Sequence, residues 1–222
     1  TLTGELGRGS NAIVYTGRYP DLLNPKEQHT VLIKELFPLH PKAAVFREET
    51  GAVACAPEGL EVWDLHRTSF EHGNRVHLRM LEKHPDRTGA NLNTFSLNGT
   101  LYTVLGFTGG QSLEAAAPGP ETDLRRLTVR MLGLLDALEA FHESGFLHLD
   151  VAPDNILLVG HERQERVMLI DYNSVYDPGA SASGTPSYHS VKPGYSPPEL
   201  RAGGAPSAAS DLYAVAAVFY RC

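Results

Sequence analysis

Eight residues, His148 to Asn155, read H-L-D-V-A-P-D-N and sit between a helical pattern and the apolar run from Ile156 to Val159. A strand that enters a core has no use for two carboxylates, a histidine and an asparagine at its start, so these groups are expected to face something else. Upstream, Leu124, Leu127, Met131, Leu134, Leu135, Leu138 and Phe141 recur at helical spacing. That stripe predicts a helix over 121–144, with Gly145 as its C′ stop. Downstream, 155–159 and 167–170 predict two short strands that turn at Gly160 and His161, the second ending on Asp171. A polar loop held between a long helix and a strand pair reads as a catalytic loop.

The rest of the chain can support such a loop. A chain of 222 residues buries about 70 % of its unfolded surface, enough for one large domain or two lobes. A net charge of −7 and the lack of a basic stripe give no footprint for nucleic acid. No apolar run approaches the ~18 residues of a membrane span, and no charged-then-apolar leader is present. Cys55 and Cys222 make neither a disulfide framework nor a zinc site, and the ten histidines lack ligand spacing. A reducing cytoplasm is the expected compartment.

Leu2–Leu6 and Ile13–Tyr15 read as strands around Gly7-Arg8-Gly9, either a plain hairpin or a flap whose backbone N–H groups approach phosphates. Thr30–Ile33 is a β-branched strand running into Lys34 and Glu35. Residues 37–68 carry no assignable pattern, and Ser69–Lys83 reads as a helix ended by Pro85. Asn98-Gly99 turns a hairpin over Thr94–Leu105, and the glycine-rich connector Gly106–Gly110 marks a lobe boundary. Residues 177–196, rich in Ser, Gly and Pro, read as a mobile segment, and Ser210 reads as the cap of a last helix over 211–220.

Taken in order, this series resembles the eukaryotic-like protein kinases, and its bacterial members in particular: glycine turn, strand-end lysine, helix, hairpin, connector, long helix, D-x-x-x-x-N and a later aspartate after a strand. I-K-E-L-F-P at 33–38, N-G-T-L-Y at 98–102, L-H-L-D-V-A-P-D-N-I-L-L at 147–158 and K-P-G-Y-S-P-P-E at 192–199 carry the likeness. The resemblance implies an α+β, two-lobed protein-kinase-like fold, with a β-rich N-lobe over 1–107 and a mostly helical C-lobe over 108–222. It implies ATP and Mg²⁺ as cofactors and transfer of the γ-phosphoryl group to Ser/Thr hydroxyls. On that reading Asp150 orients the hydroxyl, Lys34 contacts the α/β-phosphates, and Asn155 and Asp171 hold Mg²⁺. Gly7 and Gly9 cover the phosphates, Leu6, Val14 and Leu157 sandwich the adenine, and Leu105 backs its pocket.

Departures from the family pattern set further expectations. Ala12 stands at the third glycine position, and Leu32 replaces an alanine that borders the adenine. A count back from His84-Pro85 places the helix glutamate that pairs with Lys34 at Arg75, so Glu71 is nominated instead. Leu149 replaces the arginine that reads activation-segment phosphate, so an active enzyme is expected not to need that switch at Ser181, Ser183, Thr185, Ser187 or Ser190. Ala152 replaces the lysine that contacts the γ-phosphate, while Lys192 replaces the threonine beside it. Lys192 is therefore expected to reach back and supply the missing charge beside Asp150.

The chain stops after the helix at 211–220, so the C-lobe looks truncated after its central helix, with no arginine for Glu199 and further domains of a longer polypeptide expected. A protein substrate, the chain itself included, is the expected partner. The alternative is a pseudokinase, a nucleotide-binding or regulatory module, favoured by Leu32, Ala152 and the unplaced glutamate.

Overall fold

The computed structural model describes residues 1–116, 123–160, 164–179 and 191–221. It divides into two compact units, Thr1–Asn74 with Ala90–Phe107 and Arg75–Gly89 with Thr108–Cys222. Residues 75–89, which the sequence reading puts in the N-lobe, belong to the second unit.

The first unit is built on β1 (Leu2–Arg8), β2 (Ala12–Pro20), β3 (Gln28–Leu36), β6 (Asn91–Leu97) and β7 (Thr100–Gly106), an antiparallel sheet in the order β1-β2-β3-β7-β6. Asn98 and Gly99 turn β6 into β7 with φ of 49° and 76°, the left-handed pair that a two-residue hairpin requires. A side chain at Gly99 would also strike the Val53 carbonyl, whose own N–H is bound to Asn98. The unassigned stretch 37–68 holds a short hairpin, β4 (Val45–Arg47) with β5 (Val53–Cys55), and the start of a helix.

That helix, α1, runs Leu60–Lys83, about two and a half turns longer at its start than the expected Ser69–Lys83. Its buried positions, Trp63, His66, Ser69, Phe70, Val76, His77 and Met80, recur at helical spacing. Polar residues fill several of them, which hides the stripe from hydrophobicity alone. Trp63 and Phe70 join Leu36, Val53 and Leu101 in the core of the first unit, whereas Val76 and Met80 join that of the second.

The second unit packs α2 (Leu124–Glu143) and α4 (Ala208–Arg221) with a three-stranded sheet, β10 (Arg166–Leu169), β9 (Ile156–Val159) and β8 (Gln111–Ser112). Asp123 caps α2 by accepting from the Arg125 N–H, and Glu121 lies outside the described residues. Gly145, at φ 84°, closes the helix: the Gly145 N–H returns to His142 and the Phe146 N–H to Phe141. This turn aims the chain into the polar loop. A short helix, α3 (Pro198–Arg201), precedes α4. Ser210 is not the cap of α4 but lies inside it; its hydroxyl accepts from the Ser207 N–H and donates to Glu199 at 2.7 Å. Glu199 is thereby satisfied without the arginine its environment was expected to lack. Among the described residues no helix is long and apolar enough to cross a membrane. Cys222, His161 and residues 180–190, with the five Ser/Thr positions named above, lie outside them.

Candidate active site

In the first unit, sheet register places the nominated residues together. Gly7 pairs with Val14, Val14 with Lys34, and Lys34 with Thr103, one row across four strands. Residues directly opposite in an antiparallel sheet share a face, and the period of two adds Leu32 and its partner Leu105 to it. Val14, Leu32 and Leu105 are only half-buried there. Leu6 is exposed and lies beside an irregularity between Glu5 and Gly7. A side chain at Gly7 would meet nothing within 4 Å, and one at Gly9 would meet only the Ala12 carbonyl at 3.8 Å. Neither glycine is demanded by packing within the protein, so the open space suits a ligand that comes close to the backbone.

Glu71, the nominated helix acid, forms an i,i+4 pair with Arg67 at 3.5 Å. Lys34 Nζ lies 6.0 Å from the centre of the Phe70 ring. The α1 side chain that reaches the strand opposite Lys34 is Asn74, whose Oδ1 accepts from Thr103 Oγ1 at 2.8 Å and from Asn91 Nδ2 at 3.3 Å. Next to Lys34, Glu35 is buried and accepts from Arg47 Nη2 (2.6 Å), Tyr102 OH (2.6 Å) and Tyr15 OH (2.9 Å). Burial pushes its carboxyl up, but the three donors prevail and hold it below the usual range; Tyr102 is pushed up to about 12.

In the second unit the polar loop is fixed from below by Asp211, a residue the sequence reading took for part of a helix start. Its buried carboxylate accepts from the backbone N–H groups of His148 (2.9 Å) and Leu149 (2.8 Å) and contacts His142 Nε2 at 2.9 Å. Leu149 is buried at φ 60°, a conformation that costs a leucine about 1–2 kcal/mol. The two Asp211 hydrogen bonds flank and hold that strained residue. Leu147 and Tyr176 exchange a pair of backbone hydrogen bonds at 2.9 Å, and the buried His148 ring packs edge-on to Phe141. Burial lowers the His148 pKa, which keeps the imidazole neutral.

Asp150 then projects beside a 3-10 turn over Pro153–Asn155. Asn155 Nδ2 donates to Asp150 Oδ2 and to the Asp150 carbonyl, each at 2.8 Å. With its nitrogen so committed, the amide turns its oxygen away from Asp150, and oxygen is the atom a hard cation takes. The Ile170 N–H donates to the Asn155 carbonyl at 3.0 Å, which ties Asp171 to the same turn. Asp171 has φ 64° and accepts from the Asn173 N–H through Oδ1. One carboxylate and one amide oxygen on adjoining segments fit Mg²⁺ that takes its remaining ligands from phosphates and water.

Lys192 Nζ lies 3.5 Å from Asp150 Oδ1 and 2.8 and 2.7 Å from the two oxygens of Asp154. Ala152 is buried, so no side chain from that position reaches the carboxylates. The Asp150 carboxyl is pushed up to about 7 in all: burial raises it most, Lys192 draws it down, the charges of Asp171 and Asp154 raise it, and the Asn155 hydrogen bond lowers it. Leu157 lies half-buried on β9, paired with Ser112 and Met168.

A glycine turn and lysine on an antiparallel sheet, with an Asp–Asn loop braced by a helix aspartate, define the protein kinase fold. Solved structures agree: the apo form of PpkA-294 superposes with a TM-score of 0.70 at 24 % identity, covering 99 % of this chain and 73 % of that one. The protein kinase domain model matches residues 89–222, so the chain belongs to that family, and several of its curated relatives are bacterial serine/threonine-protein kinases. Serine/threonine-protein kinase F of Synechocystis is 32 % identical over 123 residues, 52 % of this chain and 23 % of that protein. Serine/threonine-protein kinase pkn2 of Myxococcus xanthus is 31 % identical over 129 residues, 53 % of this chain and 15 % of that protein. The chain thus spans less than a quarter of the length of either relative.

Proposed function

We propose that this chain is the phosphoryl-transfer module of a serine/threonine protein kinase, acting on a protein substrate in the cytoplasm, the chain itself included. The observation that carries this reading is the convergence of Asp150, Asn155 and Lys192 on one loop, with Asp171 on the segment hydrogen-bonded to it. ATP supplies the γ-phosphoryl group, and Mg²⁺ neutralises its oxygens. Asp150 accepts a hydrogen bond from the attacking hydroxyl and takes its proton. Asn155 and Asp171 hold the metal through oxygen. Lys192 provides beside Asp150 the positive charge that Ala152 cannot. Lys34 and the Gly7–Gly9 turn contact the phosphates, and Leu6, Val14, Leu105 and Leu157 contact the adenine.

The test is incubation with γ-labelled ATP, with and without Mg²⁺, followed by identification of the labelled amino acid. Metal-dependent label on serine or threonine is expected. Leu32 and Ala152 favour a second reading, a pseudokinase that binds nucleotide without transfer. Nucleotide-dependent thermal stabilisation with no label in any acceptor would support that reading instead.

A further inference from the structure

We propose that Asp154 is a positioning residue that holds the Lys192 ammonium at a working distance from Asp150; this rests on the role given to Lys192 above. An ammonium has three N–H donors. The two Asp154 oxygens lie within 2.8 Å of Lys192 Nζ, while Asp150 Oδ1 lies at 3.5 Å, longer than a charge-assisted hydrogen bond. The asymmetry has a chemical purpose. Asp150 Oδ2 is occupied by Asn155, so Oδ1 is the oxygen left for the substrate hydroxyl. An ammonium in full contact with Oδ1 would compete with that hydroxyl, whereas one drawn back onto Asp154 lends its charge and leaves the oxygen open.

The burial of the partners fits this division. Side-chain exposure is 10 % for Asp150 and 46 % for Asp154, so the acid nearer solvent does the anchoring. The lysine is held at its other end as well, its backbone N–H donating to Ser196 Oγ at 2.8 Å. A four-carbon stem with three rotatable donors keeps no fixed position by itself. Asp154 therefore also fastens the segment that begins at Lys192 to the catalytic loop, by a carboxylate already in the sequence.

The experiment compares Asp154→Asn, Asp154→Glu, Lys192→Met and the Asp154→Asn/Lys192→Met pair, each checked for folding by circular dichroism. Asp154→Asn is expected to lower kcat about tenfold with KM for ATP within about twofold, and Asp154→Glu to recover most of the loss. In the Lys192→Met background, Asp154→Asn should cost less than about twofold more, because both changes remove one interaction. A second readout needs no turnover: acylation of Lys192 by an amine-reactive probe, followed by peptide mass spectrometry, should quicken about threefold or more in Asp154→Asn. Unchanged labelling, or full additivity of the two substitutions, overturns the role of Asp154. Lys192→Met with wild-type kcat overturns the underlying reading of Lys192. A defect in Lys192→Met beside a wild-type Asp154→Asn removes Asp154 alone.

Discussion

Replacing Glu35 by glutamine keeps the shape of a buried side chain and deletes its charge, while three donors remain aimed at it. The Glu35 side chain is 2 % exposed and that of Arg47 36 %. At ~4 Å between charges and an effective dielectric of ~20, their gross attraction is about 4 kcal/mol. Desolvation of Glu35 and screening at the Arg47 end remove part of it. A glutamine can accept from one tyrosine but turns its NH₂ toward another donor. The net cost is about 2–3 kcal/mol.

Trp63 is the one tryptophan of the chain and is buried in the first unit's core, so its fluorescence in a urea titration reports that unit. The pH dependence adds a signature. The folded pKa of Glu35 lies below the usual carboxylate range, so the stabilisation is fully present above about pH 5 and is lost as pH falls through the folded pKa. The gap between wild type and Glu35→Gln should be flat from pH 8 to 5 and close below about 4.5. In the Arg47→Met background the glutamine should cost about 1–2 kcal/mol less. A gap under about 0.5 kcal/mol at pH 7, or one that persists undiminished at pH 3, refutes the reasoning.

Two further outcomes follow from buried polar groups. Asn11, at the tip of the glycine turn, is buried, and neither of its amide atoms has a hydrogen-bond partner among the described residues. Asn11→Leu should stabilise the first unit by about 1–2 kcal/mol in the same Trp63 titration, and a loss of stability would contradict it. Asp211→Asn keeps an oxygen for one of the His148 and Leu149 N–H donors, sets an NH₂ against the other and deletes the charge; it should cost about 2–4 kcal/mol, read as the shift of the circular dichroism melt. A melt within 1 °C of wild type would show that Asp211 does not hold the loop.

What the sequence reveals depends on whether a residue's partner is local. The Asn98-Gly99 hairpin, the α2 stripe and its Gly145 stop are local patterns, and the structure has them. The first turns of α1 escaped because His66 and Ser69 occupy buried positions that pattern reading reserves for apolar residues. Asn74, Asp211 and Glu35 were missed for another reason. Their partners, Thr103, His148 with Leu149, and Tyr102, lie 29 to 67 residues away, and nothing local distinguishes them from an interior helix amide, a first-turn acid and a solvated strand end. The placement of Lys192 beside Asp150 was legible only through family likeness, because nothing local says that the two segments are neighbours.

The central claim is tested most directly by the rate of γ-phosphoryl transfer in Asp150→Asn against wild type at saturating ATP and Mg²⁺, with nucleotide affinity measured on the same preparations. The amide can neither take the hydroxyl proton nor keep its charge, so transfer should fall by about 10²-fold or more while the Kd for ATP stays within about threefold. Equal transfer rates in the two proteins, or no transfer by either, would contradict the claim.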